Sequence, residues 1–515
     1  MNEGGRRIAK AATLVMSLFI LSRALGLFRQ MVTGAMFGTS GDLDAYMTAS
    51  RIPEMIFLIV AGGALGSALI PTFSNYAAKG DTAGAWRMTS AVINLVLITL
   101  AIVATLIGVY APAFVRIVLA PGYSAEQQLV TVQLLRVLLI SSVVFGASGV
   151  IMAALNAEQH FLLPALAPSL YNTAIILGAV LLSTRMGVMG LAIGVVVGSA
   201  LHLLIQVPGL RRRKARYTFT LGLRDPAVRQ VARLMAPRVL GTAIIQLNFV
   251  INNSLASHLG EGAVSAINYA WMIMLLPQGV FAQAVGTAAF PTFADQVARG
   301  KTDAMRKTLS GTLRTVFFLS IPASVGLIVL NRPLVATLFE RGAFAASSTN
   351  AVAGAVALYA LGLVGHSGLE IIARAFYALH DTFTPVWVGA IAVALNVVLS
   401  IALPGVFEQA GWPAHNGLAL ANSIATLVEM SLLMLLIRRK MGGIGGREIG
   451  LSFVKAGVAA LIMGSILVAW RILLPGTSPI ILSAGGVGLG AVVYLCVAMV
   501  LKSEEPRQAL SLIRH

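Results

Sequence analysis

The chain has 515 residues, of which 57% are hydrophobic and only 11% are charged, and its net charge is +18. Soluble proteins carry roughly a quarter charged residues, so this composition excludes a soluble enzyme and indicates a polytopic membrane protein. A single cysteine, Cys496, excludes an internal disulfide. Basic loops of membrane proteins bind anionic phospholipid headgroups, and such loops account for the positive charge. We therefore expect no nucleic-acid partner.

Apolar stretches of about 20 residues, long enough to cross a bilayer as helices, recur along the whole chain. They predict an all-α protein with about fourteen transmembrane helices. The N-terminus resembles a secretory signal, but Arg23 and Arg29 interrupt its apolar stretch, so we interpret it as the first helix. The predicted spans are 10–36, 51–77, 88–111, 130–155, 161–183, 187–208, 230–257, 263–294, 307–330, 351–379, 385–404, 416–437, 450–473 and 478–501.

Short motifs recur in the same order about 220 residues apart, which indicates an internal duplication. Pro71-Thr72-Phe73 recurs as Pro291-Thr292-Phe293, and Arg23-Ala-Leu-Gly26 recurs as Arg238-Val-Leu-Gly241. Repeated halves of this kind are typical of transporters that bind their substrate between the halves. We predict an N-terminal lobe at 1–210, a basic cytoplasmic linker at 211–229, a C-terminal lobe at 230–440, and two further helices with a short tail at 441–515.

Lysine and arginine concentrate in alternate loops, most densely between Arg211 and Arg233. The positive-inside rule therefore predicts that the N- and C-termini are both cytoplasmic. Each repeat has an even number of spans, so both halves have the same orientation in the membrane.

Charged residues within the first two spans are the candidate site. An arginine at the bilayer centre costs at least about 2.5–3.5 kcal/mol, so Arg23 and Arg29 are expected to face a cavity or a partner. Their helix offers no carboxylate. In the second span, Arg51 and Glu54 lie on the same face of the helix and could neutralise each other. In that interpretation, the Arg29 side chain extends to the membrane–water interface. Otherwise the free guanidinium groups call for a phosphate or carboxylate cargo.

Other polar residues in the spans have simpler interpretations. Glu370 and Arg374 are four residues apart, which predicts an ion pair within one helix and leaves a secondary binding role open. Glu429 is either a proton or cation site or the partner of a base at the cytoplasmic end of its helix. His202 and His366 are expected to be packing residues.

No catalytic or cofactor motif is complete, so we predict that the chain is not an enzyme and binds no metal. Gly300-Lys301-Thr302 ends like a phosphate-binding loop, but the first glycine of that motif is replaced by Asp295, so no ATP hydrolysis is expected. The acidic pair Asp42 and Asp44 is too short a motif to define a metal site. Coupling to an ion or to the membrane potential stays open.

Several stretches nevertheless resemble one family, the lipid II flippases (MurJ, also called MviN) of the multidrug/oligosaccharidyl-lipid/polysaccharide exporter superfamily. The matching stretches are Ser22-Arg-Ala-Leu-Gly-Leu-Phe-Arg29, Asp44-Ala-Tyr46, Ala120-Pro-Gly-Tyr123, Leu155-Asn156 through Phe161, Pro164-Ala165, Ala167-Pro168, Asn172, Leu338-Phe339-x-x-Gly342-x-Phe344 and Phe376-Tyr377 through Thr384-Pro385. The resemblance covers essentially the whole chain.

This resemblance implies a MATE-like fold with two six-helix lobes around a cationic cavity, and two C-terminal helices beside a lipid groove. It implies a monomer in the bacterial cytoplasmic membrane that moves undecaprenyl-pyrophosphate-linked peptidoglycan precursor (lipid II) to the outer leaflet for cell-wall synthesis. The family's cavity residues correspond to Arg23, Arg29 and Asp44, and Arg51 lies where the family has a base.

Three departures concern the charge of the cavity. A family arginine is absent from Glu54-Met-Ile-Phe57, the usual Glu-Gly-Ala is Gly62-Gly63-Ala64, and an Asp-Arg pair is replaced by Trp271-Met272. Arg238, the repeat partner of Arg23, is the candidate to compensate. The alternatives are a flippase for another polyprenyl-linked glycan, a cation-coupled antiporter of the same superfamily, and a glycosyltransferase using Asp42 and Asp44.

Overall fold

A computed structural model describes residues 3–61, 64–213 and 215–505. The Gly62-Gly63 pair and the side chain of Arg238 lie outside the described residues. All regular structure in the described part of the chain is helical, as the sequence predicts. The helices are α1 (Glu3–Phe37), α2 (Gly41–Ala61), α3 (Ala64–Ala78), α4 (Thr82–Val109), α5 (Ala111–Phe114), α6 (Ala125–Ala157), α7 (Leu162–Leu177), α8 (Ser183–Met186), α9 (Met189–Leu204), α10 (Val207–Arg212), α11 (Pro226–Ala256), α12 (Ala263–Gln278), α13 (Ala284–Ala298), α14 (Thr302–Val329), α15 (Asn331–Phe339), α16 (Ala346–Ala378), α17 (Phe383–Gln409), α18 (His415–Met441), α19 (Gly446–Leu473) and α20 (Gly486–Val500).

Among the described residues, 12 helical segments are long and apolar enough to cross a membrane. They coincide with all of the predicted spans except the second and the seventh. Those two correspond to α2 with α3 and to α11, which are helical and carry charged residues. Asp42, Asp44, Arg51 and Glu54 lie on α2, and arginines interrupt the first half of α11. The finding confirms a polytopic all-α protein.

A π-helical turn at Gly279–Gln283 separates α12 from α13 within the eighth span. π-Helical turns and prolines are common causes of helix kinks, and Pro277 lies just before this turn.

Contacts divide the chain into two compact units, one formed by residues 1–264 with 341–344 and the other by 265–340 with 345–515. In the first unit, α11 packs on α2 and α3, although the sequence repeat places it at the start of the second half. A core of buried apolar side chains fills each unit. In the first, the rings of Phe73 and Trp86 meet edge to face at 5.2 Å.

A polar contact closes the loop between α16 and α17 in the second unit. Asp381 accepts hydrogen bonds from the Lys440 ammonium and from the Thr384 backbone, and these lower the pKa of its carboxyl to about 2. Because the folded pKa lies below the value of about 4 for an unfolded aspartate, this charge stabilises the fold above pH 4. That contribution is lost as the pH falls through 2.

We therefore expect Asp381→Asn to lower the melting temperature at pH 7, with a cost of at most about 1 kcal/mol because Lys440 is partly exposed. Asparagine also caps helices well, so the change isolates the charge. The difference from the parent protein should shrink between pH 4 and pH 2 in thermal unfolding of the detergent-solubilised protein. A difference that stays constant over this range would contradict the ion pair.

Candidate functional site

The guanidinium group of Arg29 lies near the hydroxyl groups of two tyrosines in the first unit. Arg29 is half-buried on α1 and lies within hydrogen-bonding reach of the Tyr171 hydroxyl on α7. The charges of Arg29 and Glu54 both act on the hydroxyls of Tyr46 and Tyr171. These four side chains, from α1, α2 and α7, therefore form one polar cluster.

The ring of Tyr171 packs against a row of aromatic side chains. Its ring meets the ring of Phe145 edge to face at 5.0 Å, and Phe145 meets His202 at 5.3 Å. His202 is 2% exposed, and its Nδ1 lies 2.7 Å from the Ser148 hydroxyl. His202 is a hydrogen-bonded packing residue, as predicted, and it supports the aromatic wall behind Arg29.

Arg51 makes the ion pair that its spacing from Glu54 allows. Its Nη1 lies 3.7 Å from Glu54 Oε2, and its guanidinium carbon lies 5.8 Å from the centre of the Phe249 ring. The Glu54 side chain is 55% exposed, so the pair is open to competition from another anion. The neutralising alternative raised by the sequence therefore applies to Arg51.

Arg23 and Arg29 differ from Arg51 in this respect. Among the described residues, neither has a carboxylate within ion-pair distance, and Arg23 is exposed on α1. Arg23 and Arg29 are about 9 Å apart along the helix axis. The first helix therefore presents two guanidinium groups that its own unit does not neutralise by a direct ion pair.

Asp44 lies at the first turn of α2. It is fully buried, and its Oδ2 accepts a hydrogen bond of 2.7 Å from the backbone N–H of Gly262. The Glu261 carboxylate in turn accepts the backbone N–H of Gly41 at 2.7 Å. We call this reciprocal arrangement of Gly41, Asp44, Glu261 and Gly262 the α2 clasp.

The next turn of α2 reinforces the clasp. Thr48 is hydrogen-bonded to the Tyr123 hydroxyl at 2.8 Å and to Asn253 at 3.1 Å. Gly262 has a φ of +84°, and a Cβ there would lie 2.6 Å from the Thr39 carbonyl oxygen. Only glycine therefore fits this position without displacing the start of α2.

In the second unit, Glu370 and Arg374 form the predicted ion pair on α16. The Arg374 guanidinium also lies against Gly286, where a Cβ would be 2.9 Å from Nη1. Glu429 is half-buried on α18, and a Cβ at Gly389 would lie 3.3 Å from its Oε1. Its pairing with a base at the end of its helix is not among the described ion pairs.

Trp271, which stands where the resemblance predicts a charged pair, packs into an aromatic cluster. Its ring contacts Tyr359 and His366, each at 5.3 Å. His366 Nε2 lies 3.1 Å from the Asn422 amide oxygen, as expected for a satisfied packing histidine. This part of the second unit therefore offers an aromatic surface where the family pattern has charge.

Three site residues were not singled out by the sequence. Tyr46 belongs to the Asp44-Ala-Tyr46 motif, and Tyr171 precedes Asn172, but neither carries a charge that would mark it within a span. Glu261 lies in a short loop and resembles an ordinary solvated acid. Their roles depend on contacts between distant segments.

Comparison with known proteins agrees with these observations. The family model described as "Lipid II flippase MurJ" matches residues 33–482. The lipid II flippase MurJ of Burkholderia cenocepacia is 31% identical over 439 residues, 84% of each chain, and the probable lipid II flippase MurJ of Vibrio cholerae is 30% identical over 442 residues, 83% of this chain and 82% of the relative.

Solved structures give the same result. A structure described as "Lipid II flippase MurJ, inward closed conformation" superposes with a TM-score of 0.80 at 26% identity, covering 95% of this chain and 98% of the other. An inward-facing MATE transporter of the MOP superfamily shares the fold, with a TM-score of 0.69 at 16% identity, covering 84% of this chain and 98% of the other. The chain belongs to the lipid II flippase MurJ family.

Proposed function

We propose that this protein translocates lipid II, the undecaprenyl-pyrophosphate-linked peptidoglycan precursor, from the inner to the outer leaflet of the bacterial cytoplasmic membrane. The main support within the molecule is the pair Arg23 and Arg29, which have no directly paired carboxylate among the described residues. Family membership supplies the identity of the lipid.

In this proposal the arginines bind the pyrophosphate group. The planar guanidinium fork matches two phosphate oxygens, and each charge-assisted contact is stronger than a neutral hydrogen bond. Tyr46 and Tyr171 place hydroxyl donors beside Arg29 for the remaining oxygens. Arg51 exchanges Glu54 for phosphate when the headgroup arrives, and the apolar polyprenyl tail stays in the lipid.

We further propose that the protein acts as a monomer with both termini in the cytoplasm. An inside-negative potential then favours outward movement of an anionic headgroup by about 2.3 kcal/mol per charge per 100 mV. Lipid movement can therefore be driven by the potential without nucleotide, and an ion site at Glu429 is the candidate for additional coupling.

The test is translocation by the purified protein in proteoliposomes that carry lipid II in one leaflet. Exposure of the headgroup at the opposite leaflet is measured with an impermeant enzyme that modifies only exposed headgroups. We expect protein-dependent exposure that increases with a potential of the correct sign. Preferential movement of another polyprenyl-linked glycan, or exchange of a cationic compound instead, would favour the corresponding alternative.

A further prediction concerns Glu54. Because Glu54 competes with phosphate for Arg51, Glu54→Gln should tighten binding of a polyprenyl-pyrophosphate lipid several-fold, within the range of about 0.2–1 kcal/mol for an exposed pair. Arg51→Gln should weaken binding instead. Both are measured as dissociation constants in detergent. Equal weakening by both changes would show that the ion pair between Arg51 and Glu54, rather than the Arg51 guanidinium group alone, supports the site.

A further inference from the structure

The segment that joins α10 to α11 follows an extended course along α4. We call residues 215–225 the linker strap. The Tyr217 hydroxyl donates to the Asn94 side-chain oxygen at 2.6 Å, and the Asn94 amide donates to the Thr220 carbonyl oxygen at 2.8 Å. The backbone N–H of Thr218 donates to the Ser90 hydroxyl at 3.2 Å. The strap is therefore fixed to the side of a candidate membrane span.

The depth of these contacts follows from the geometry of α4. Ser90 and Asn94 lie about 12 and 18 Å along the axis from Thr82, and Arg87 is the only charged residue of this 28-residue helix. The part of α4 that follows Arg87 is mostly apolar, with Ser90 and Asn94 among its few polar residues, and it is long enough to cross the hydrocarbon core of a membrane. The strap thus lies at the boundary between headgroups and hydrocarbon, where exposed backbone groups need partners, and Ser90 and Asn94 provide them.

The outer surface of the strap combines apolar and basic side chains. Phe219 is 91% exposed and Leu223 is 61% exposed, while Arg216 and Arg224 are also exposed. The strap's one acid, Asp225, is occupied as the N-cap of α11, where it accepts the Ala227 N–H. Aromatic and aliphatic groups beside arginines are typical of segments that lie in the membrane interface.

We propose that the linker strap is an interfacial anchor for anionic phospholipids. Phe219 and Leu223 enter the boundary between headgroups and acyl chains, and Arg216 and Arg224 bind lipid phosphates. The charge of the strap selects an anionic lipid over a zwitterionic one. This proposal depends on the membrane location of α4 and is independent of which lipid the protein transports.

A fluorescent reporter on the strap tests the anchor. In the full-length Cys496→Ser protein, Phe219→Cys is labelled with bimane and reconstituted into nanodiscs of phosphatidylcholine with or without phosphatidylglycerol. A second reporter at Leu221 keeps Phe219 intact. Thr82→Cys, an exposed position at the start of α4, is the control. We expect brominated lipid to quench both strap reporters strongly and aqueous iodide to quench mainly the control.

Lipid selectivity is read from the same reporters. Brominated phosphatidylglycerol should quench more than brominated phosphatidylcholine at equal mole fraction. The Arg216→Gln/Arg224→Gln variant should lose this excess while keeping its protection from iodide. If iodide quenches both strap reporters as strongly as it quenches Thr82→Cys, the strap does not lie in the membrane interface and the anchor proposal is wrong. The exposed surface of the strap would then be a candidate binding site for a soluble acidic partner. Equal quenching by the two brominated lipids would overturn the selectivity.

The attachment of the strap to α4 predicts a separate result. Asn94→Ala removes two hydrogen bonds between α4 and the strap, so iodide quenching of the Leu221 reporter should increase. Thr89→Ala is the matched control on the same helix, because Thr89 donates only to the Ala85 carbonyl of α4 itself. Equal quenching in the two variants would show that Asn94 does not hold the strap.

Discussion

Replacing Arg29 with alanine is expected to abolish growth of a strain that depends on this protein as its only flippase. The side chain is half-buried among Tyr46, Tyr171 and Glu54, and it has no direct carboxylate pair among the described residues. Loss of a charge-assisted contact to phosphate costs roughly 1.5–3 kcal/mol, which corresponds to about a tenfold to hundredfold lower rate in proteoliposomes. Arg29→Lys should retain intermediate activity, since lysine keeps the charge and loses the bidentate fork.

The matched control is Arg185→Ala, which removes an exposed arginine from the same unit but outside the candidate site. Both variants should be present in the membrane in equal amounts and unfold at similar temperatures. Full activity of the Arg23→Ala/Arg29→Ala double variant would contradict a role for these arginines in binding the headgroup. A loss of activity that accompanies loss of the folded protein would assign Arg29 a structural role instead.

The sequence was sufficient to predict the helical architecture, including the helices of the second and seventh predicted spans. Apolar stretches predicted α2 and α11 although Arg51 and Glu54 in one and arginines in the other lower their apolar character. The pairing of Arg51 with Glu54, and of Glu370 with Arg374, followed from helical spacing.

Contacts between distant segments could not be predicted in this way. Helical spacing relates only residues within one helix, whereas Tyr171 reaches Arg29 because α7 packs against α1. The two hydrogen bonds of the α2 clasp join residues 218 and 220 positions apart. The resemblance placed Asp44 among the cavity residues, but only the structure shows that its carboxylate accepts the backbone N–H of Gly262.

This arrangement makes Asp44 a candidate for holding the adjoining ends of α2 and α11 together. A carboxylate that accepts a backbone N–H while buried forms a strong hydrogen bond, and its first-turn position on α2 adds the favourable field of the helix dipole. Glu261 makes the complementary bond but is exposed, so water competes for its oxygens. Asp44 should therefore dominate the clasp.

Asp44→Ala is accordingly expected to loosen this end of the first unit and to reduce transport. The loss of a hydrogen bond to a charged group, about 1.5–3 kcal/mol, should increase local opening about tenfold to hundredfold. Opening is measured as the rate at which an impermeant maleimide modifies Ala45→Cys, a buried neighbour on α2, in the Cys496→Ser background. Ala154→Cys on α6 is the buried control and should stay unreactive.

Two comparisons separate the clasp from a general loss of stability. Asp44→Asn keeps an oxygen that can accept the Gly262 N–H, so its effect should be smaller than that of Asp44→Ala. Combining Asp44→Ala with Glu261→Gln should cost less than the sum of the single changes, because both act on the same contact between α2 and the loop after α11. Strictly additive effects, or an unreactive Ala45→Cys in the double variant, would show that the two carboxylates act independently and that the clasp does not control opening.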